Sequence, residues 1–487
     1  MIYDVAIIGA GITGACIARE LSKYKLNICM IEKSDDVSTG TSKANSGIVH
    51  GGFDAKPDTL MAKLNVQGCS MYPDLSEKLH FDYKNNGSLV ICFCDEDMEQ
   101  IKNLYDRGVK NGVKKMKIID SKELHQLEPN ISQDAVGALL CESAGIVSPY
   151  QATWAIAENA VINGVKLFLE HEVHSISVPD NKNKDFVIHT GQCDITSKCV
   201  VNAAGLYADK ISEMAGARKY VIKPRRGEYY LLDNKCENLA RHTLFQPPSK
   251  MGKGVLITPT VDGNILSGPT AQDCDDKAAT ETTAEGQHQV FLKSEKTIPG
   301  IPRRNVINSF AGVRAIAYNQ DGTAVNDFII EEDKVIERFI NVGGICSPGL
   351  TAAPAIGVYV AELVSNAMKV KFSLNKDFIE ERIGIESFKH ASNERKAQLI
   401  KENHLYGRII CRCESITEAE IVAAINSPVG ACDLDGVKRR TRGGMGRCQG
   451  GFCSPRITEI ISRERNIPMT SVTKSGGCSY ILNSKTR

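Results

Sequence analysis

Four cysteines sit late in the chain as two close pairs, Cys411-x-Cys413 and Cys448-x4-Cys453, with 34 residues between them. Four thiolates gathered by one small fold suit a metal ion or an iron–sulfur cluster, and structural zinc takes the same donors. With 17 cysteines in the chain, close pairs also arise by chance. The opposite end of the chain tips the reading. Gly9-x-Gly11-x-x-Gly14 follows the apolar run Val5–Ile8 and precedes apolar residues at helical spacing from Ala15 to Lys23. A second apolar run, Ile28–Ile31, ends in Glu32, eighteen residues after Gly14. Strand, glycine turn, helix, strand and acid are the parts of a dinucleotide-binding unit. A two-electron cofactor beside a one-electron centre means a redox enzyme.

The glycines have separate tasks. Gly9 permits the tight turn, Gly11 lets backbone amides approach a diphosphate, and Gly14 lets helix and strand pack closely. The phosphates then lie at a helix N-terminus, and Glu32 is placed for ribose hydroxyls. No second fingerprint follows a strand, so one tightly held FAD is expected rather than FAD plus a separate nicotinamide.

The remaining elements must position these groups. Gly87–Phe93 and Val200–Ala203 read as strands, and Gln151–Ile162 and Leu206–Met214 as helices. Residues 273–300 read as polar surface helix or loop. Residues 373–408, dense in Lys, Glu and Asn, read as a linker, and Thr473–Arg487 as a loosely ordered tail. A length of 487 residues allows several cores. The balance of 59 basic against 58 acidic residues argues against nucleic acid or acidic lipid as the main partner. No secretory signal is read at Met1, so the cysteines are expected as reduced thiols and ligands. The most apolar late stretch, Leu350–Val364, is read as shorter than a bilayer span, and it carries Glu362. No direct membrane span is expected.

Four segments together carry a family resemblance: the Gly9–Gly14 turn, Asn45-Ser46-Gly47-Ile48-Val49-His50-Gly51-Gly52, Val201-Asn202-Ala203-Ala204-Gly205, and Gly343 through Pro354. They resemble the D-amino-acid-oxidase-like FAD oxidoreductases, and within them the glycerol-3-phosphate and L-2-hydroxyglutarate dehydrogenase branch. Cys411-Arg412-Cys413-Glu414 through Gly450 is similar to the bacterioferritin-associated-ferredoxin-like [2Fe-2S] domain, which also ends the large subunit of the anaerobic glycerol-3-phosphate dehydrogenase. The resemblance implies an α/β (α+β overall) architecture. A Rossmann-type FAD-binding domain with an antiparallel substrate sheet would fill residues 1–372, its sheet segments near 75–150 and 220–310. A small helical [2Fe-2S] domain would fill 409–465, before a tail over 466–487. It further implies that Gly9, Gly11, Gly14, Glu32, Lys33, Val173, Ala204 and Gly205 bind the cofactor's nucleotide side. Ser46, Gly47, His50, Gly344, Leu350 and Thr351 would lie along the flavin. Cys411, Cys413, Cys448 and Cys453 would hold the cluster.

A small hydroxy acid or phosphate ester needs a fixed cation. Arg314, in Phe310-Ala311-Gly312-Val313-Arg314, is the first candidate, with a structural salt bridge as the alternative. Arg226 and Tyr229 come second, with a surface strand edge as their alternative. A histidine titrates in the range a base needs, so His50, in the flavin-proximal motif, is the candidate base, or it only hydrogen-bonds the flavin. Lys438, Arg439, Arg440, Arg442 and Arg447 read as tuning the cluster's potential or as a solvated basic face. Cys432 has no close partner, and Cys16, Cys29 and Cys346 read as small buried apolar residues. The expectation is a cytoplasmic dehydrogenase that oxidises sn-glycerol 3-phosphate to dihydroxyacetone phosphate. Electrons would pass from FAD through a [2Fe-2S] cluster to an electron-accepting protein subunit or quinone-linked acceptor, with membrane association only through such partners. The rivals are L-2-hydroxyglutarate dehydrogenase and a relay subunit of a larger flavoprotein complex. An oxidase is less expected, because a wired cluster is redundant when oxygen takes the electrons.

Overall fold

The computed structural model describes residues 1–180, 184–247 and 254–484. Strand β1 (Ile2–Ile8) is buried from Val5 onward, so it reads as an unbroken apolar run rather than an alternation. It feeds through the Gly9 turn into helix α1 (Ile12–Leu21) and pairs in parallel with β2 (Ile28–Ile31). Helices α2 (Leu60–Leu79) and α3 (Pro149–Ile162) pack against this unit. Strand β3 (Asp194–Asn202) lies parallel on the other side of β1, and Lys166–Phe168 lies parallel beyond β2. Gly9 has φ +109°, and a Cβ there would meet the carbonyl oxygen of Ala203 at 2.5 Å, so the turn requires glycine. A Cβ on Gly14 would strike the Gly9 oxygen at 2.0 Å.

A second sheet of nine strands lies apart from the first. Its long members are β4 (Val221–Leu232) and β5 (Val306–Tyr318), paired antiparallel with Tyr229 opposite Phe310 and Arg225 opposite Arg314. Ser88–Cys92, Met116–Asp120 and Gly137–Cys141 extend the far end. Strand β6 (Phe339–Gly343) returns to the first sheet beside β3 and leads to helix α4 (Gly349–Met368). At 20 residues α4 is long and apolar enough to cross a bilayer, which corrects the shorter span read from the sequence. Its length here serves the core: Ala352, Ala353, Ile356, Val360 and Val364 are buried, and the helix packs between α1 and α2.

The C-terminal unit begins with the hairpin Ile409–Cys411 and Ile416–Thr417, and a capping box between Thr417 and Glu420 starts the next helix. Helix α5 (Leu434–Thr441) and the helix Ser454–Arg465 complete a small core containing Ile421, Val437 and Ile461. Residues 373–408 are a docked strap rather than a bare linker. The Arg382 side chain is buried, pairs with Glu158 at 2.9 Å and donates to the Leu79 carbonyl at 2.7 Å. The backbone of Ile379 exchanges hydrogen bonds with the side chain of Asn163. Polar contacts hold this segment, so its sparse apolar content did not reveal the docking. The tail is likewise ordered through 484. Val472 is fully buried, and the amides of Leu434 and Asp435 donate to the carbonyls of Thr473 and Lys474. Residues 485–487 lie outside the described residues.

Candidate active site and cluster site

A cavity of about 1050 Å³ runs between the two sheets. At one end are Gly9, Gly11 and the start of α1, whose N-cap residue Gly11 offers no side-chain cap. Ser42 bends over this turn and accepts the Ile12 amide at 2.9 Å. Glu32 lines the same end, but its oxygens already accept the amides of Ala10 at 2.9 Å and Ser34 at 3.0 Å. Burial raises its pKa against the pull of those amides. Lys33 lies over the Tyr207 ring at 3.7 Å from its centroid, beside Ala204 and Gly205. Glycines at the turn, an uncapped helix start and an elongated void fit a dinucleotide.

At the other end Ser46, Gly47, His50, Tyr229, Arg314 and Leu350 line the cavity. Tyr229 stacks on Phe310 with ring centroids 4.8 Å apart, and its hydroxyl meets Ser46 Oγ at 3.2 Å. Burial raises the phenol's pKa, more than Arg314 and Ser46 lower it, so it stays a neutral donor. The Arg314 guanidinium reaches only the Thr270 carbonyl, at 3.4 Å, and among the described residues no carboxylate pairs with it. The salt-bridge alternative therefore has no partner there. The His50 ring stacks against Phe245, 5.8 Å between centroids. Thr351 fixes the loop beneath it: its hydroxyl accepts the His50 amide at 2.9 Å and donates to the Ile48 carbonyl at 3.2 Å.

Several expected residues lie elsewhere. Arg226 is on the opposite face of β4 from Tyr229, because successive residues of a strand point to opposite faces and the two are an odd number apart. There it pairs with Glu281 and Glu228 and donates to Gln272 at 2.8 Å, so it is a structural ion pair. Val173 is buried in the outer strand Val173–Ser177, away from the cavity. Gly14, Gly344 and Thr351 support the walls without lining them. Cys346 is half-buried and lines the cavity, whereas Cys16 and Cys29 are fully enclosed.

The sequence reading missed the wall contributed by the C-terminal unit. Asp435, Lys438, Arg439 and Arg442 form one stripe of α5 facing the cavity, joined by Met445 and Gln449. The next stripe over, Gly436 and Arg440, packs on the first domain. Arg440 makes a two-pronged pair with Asp36, both bonds 2.7 Å, and Arg439 donates to the same carboxylate at 2.6 Å. Arg442 bridges Asp262 at 2.6 Å and Glu414 at 3.0 Å. The α5 part of the basic run is thus not a solvated face, since α5 is wedged between domains, whereas the Arg447 side chain, next to Cys448, is about half exposed. Only the spacing of its charges along a helix hinted at two faces.

The four thiols stand as two pairs. Cys413 and Cys448 are 3.7 Å apart, and the Cys411 thiol is drawn down to about 6 by a hydrogen bond from Cys453. Among the described residues no three such donors converge on one point. Paired thiolates fit a two-iron cluster better than one tetrahedral ion. Cys432 takes a hydrogen bond from Arg465 at 2.9 Å and stays apart from them. None of the 17 cysteines forms a disulfide among the described residues.

A model of FAD dependent oxidoreductases matches residues 4–363, and one of the BFD-like [2Fe-2S] binding domain matches residues 409–463. The chain belongs to the FAD dependent oxidoreductase family. It is an FAD-dependent enzyme with a C-terminal [2Fe-2S] domain. A protein of Caloramator mitchellensis called glycerol 3-phosphate dehydrogenase is 48% identical over 100% of this chain and 99% of its own length. The glycerol 3-phosphate oxidase of Mycoplasma genitalium is 34% identical over 77% of this chain and 98% of its own length. The dithionite-reduced, FAD-bound L-alpha-glycerophosphate oxidase of Mycoplasma pneumoniae superposes with a TM-score of 0.73 at 31% identity, over 78% of this chain and 98% of its own.

Proposed function

We propose that the protein oxidises sn-glycerol 3-phosphate to dihydroxyacetone phosphate and passes the electrons through its cluster to an acceptor outside the chain. The observation that carries the substrate reading is Arg314, a guanidinium facing the cavity with no carboxylate partner among the described residues. A phosphate satisfies its planar fork bidentately. The neutral Tyr229 hydroxyl, steadied by Ser46, is a second donor to the bound oxygens. His50 accepts the hydroxyl proton from a loop that Thr351 and the start of α4 hold still. FAD, when bound, supplies the acceptor for the hydride from the same carbon. Relatives named for this substrate support the reading, one along its whole length.

The route outward is short in sequence. Met445 and Gln449 line the cavity, and Cys448 lies between them. Cys413 is exposed, and Phe452, between the last two ligands, is 88% exposed, which favours an acceptor docking on the C-terminal unit. We place the enzyme in the cytoplasm, with any membrane association through that acceptor.

Anaerobic titration with glycerol 3-phosphate should bleach the flavin and then reduce the cluster, followed by absorbance and the cluster's paramagnetic signal. Bleaching only by L-2-hydroxyglutarate would overturn the substrate, and silence with both would point to another hydroxy acid or to a relay subunit. Arg314→Met should lower kcat/KM for glycerol 3-phosphate by about a hundredfold with FAD content unchanged, the scale of a lost charge-assisted hydrogen bond pair. His50→Asn should slow flavin reduction by substrate; an unchanged rate would remove the base role.

A further inference from the structure

Two ammonium groups that line the cavity, those of Lys43 and Lys438, have no hydrogen-bond or ion-pair partner among the described residues. Lys43 belongs to the loop that covers the start of α1, one residue after Ser42, whose hydroxyl holds the Ile12 amide at 2.9 Å. Lys438 reaches the same cavity from α5, on the other domain. The neighbouring cations are spoken for: Arg439 by Asp36, Arg442 by Asp262 and Glu414. The acids nearby are partly committed as well, since Asp435 pairs with Lys474 and Asp433 caps α5 through the Gly436 amide. Burial lowers the pKa of both lysines, against the pull of the nearby Asp435 carboxylate, which raises it.

We propose that Lys43 and Lys438 close as a cationic clasp on the diphosphate of FAD, so that both domains hold the cofactor. The inference rests on the reading that the diphosphate lies at the Gly9–Gly11 turn. The turn supplies backbone amides and a helix start, which is a half-cradle open toward α5. Two lysines on its open side supply charge matching a doubly anionic group, one from each wall. The consequence is a coupling: FAD loading and docking of the [2Fe-2S] domain stabilise one another, because a ligand that contacts both surfaces favours the joined state.

The test is reconstitution of the apoprotein, with its cluster retained, by FAD and separately by riboflavin, which has no phosphate, each followed by flavin fluorescence. Lys438→Met should weaken FAD by about tenfold, the scale of one lost charge-assisted hydrogen bond, and leave riboflavin affinity unchanged. Lys438→Arg should restore most of the loss, and bound FAD should slow proteolysis of residues 384–408 less in Lys438→Met than in the wild type. Unchanged FAD affinity in Lys438→Met would overturn the clasp, as would a raised KM for glycerol 3-phosphate with FAD affinity intact. Gly11→Val separates this from failure of the underlying reading. A Cβ at Gly11 already meets Ser42 Oγ at 3.0 Å, so the larger side chain obstructs the cradle. If Gly11→Val binds FAD normally, the diphosphate is not at the turn; if it loses FAD while Lys438→Met does not, only the clasp is wrong.

Discussion

Cys413→Ala is expected to abolish the cluster and all transfer to an external acceptor, while leaving FAD bound and still bleached by substrate. The position matters. Cys411 and Cys453 are buried in the small core with Ile416, Ile457 and Ile461, so replacing either removes packing along with a ligand. Cys413 is exposed and contributes nothing to that core, so its loss reads out ligation alone. Its partner Cys448, 3.7 Å away, is then left without the second thiolate of its pair. A two-iron cluster short of one thiolate loses an iron site, which differs from the graded effect of a lost hydrogen bond. Iron content and the cluster's visible absorbance, measured beside flavin content, check the result. Cys432→Ala is the matched control, expected to keep wild-type iron because its thiol serves Arg465 instead. Iron retained in Cys413→Ala, or lost in Cys432→Ala, would reassign the ligands.

What could be read from the sequence was chemistry carried by near neighbours. The glycine turn, the strand before it and the acid after β2 lie within one supersecondary unit, so spacing alone arranged them. The thiol pairs were legible for the same reason. Arg314 and Tyr229 were chosen by residue type and line the cavity, but Arg226 was grouped with them because strand parity needs a reference face, which only the sheet supplies. The docking of α5 and of residues 373–408 went unseen for a shared reason. Both bury polar groups against the other domain, and burial by partners distant in sequence leaves no local pattern. Asp36, the buried counter-charge to Arg439 and Arg440, carried no signal at all.

That carboxylate controls the domain interface. Asp36 and both arginines are almost wholly buried, and the Arg440 guanidinium also donates to the carbonyls of Val429 and Gly436. It lies 5.4 Å from the Trp154 ring centroid, on a tryptophan whose Nε1 donates to the Val429 carbonyl at 3.1 Å. Two cations share one anion, so Asp36→Asn strands charge in the interface instead of deleting a contact. The expected cost is about 3–5 kcal/mol, the usual scale for breaking a buried pair from one side. The C-terminal domain should undock at a lower temperature than in the wild type, exposing residues 384–408 to protease. An unchanged melting profile and unchanged cleavage would show that the strap and α5 packing hold the domains without this pair. Acid should imitate the variant. Burial opposes ionisation of Asp36, but Arg440 and Arg439 outweigh it and hold the carboxyl below its ordinary range. A group depressed in the folded state gives its full stabilisation above its unfolded pKa of about 3.9. That stabilisation disappears as pH falls from there through the lower folded value. Undocking of the wild type should therefore begin only below about pH 4, whereas in Asp36→Asn this part of the acid dependence should be absent.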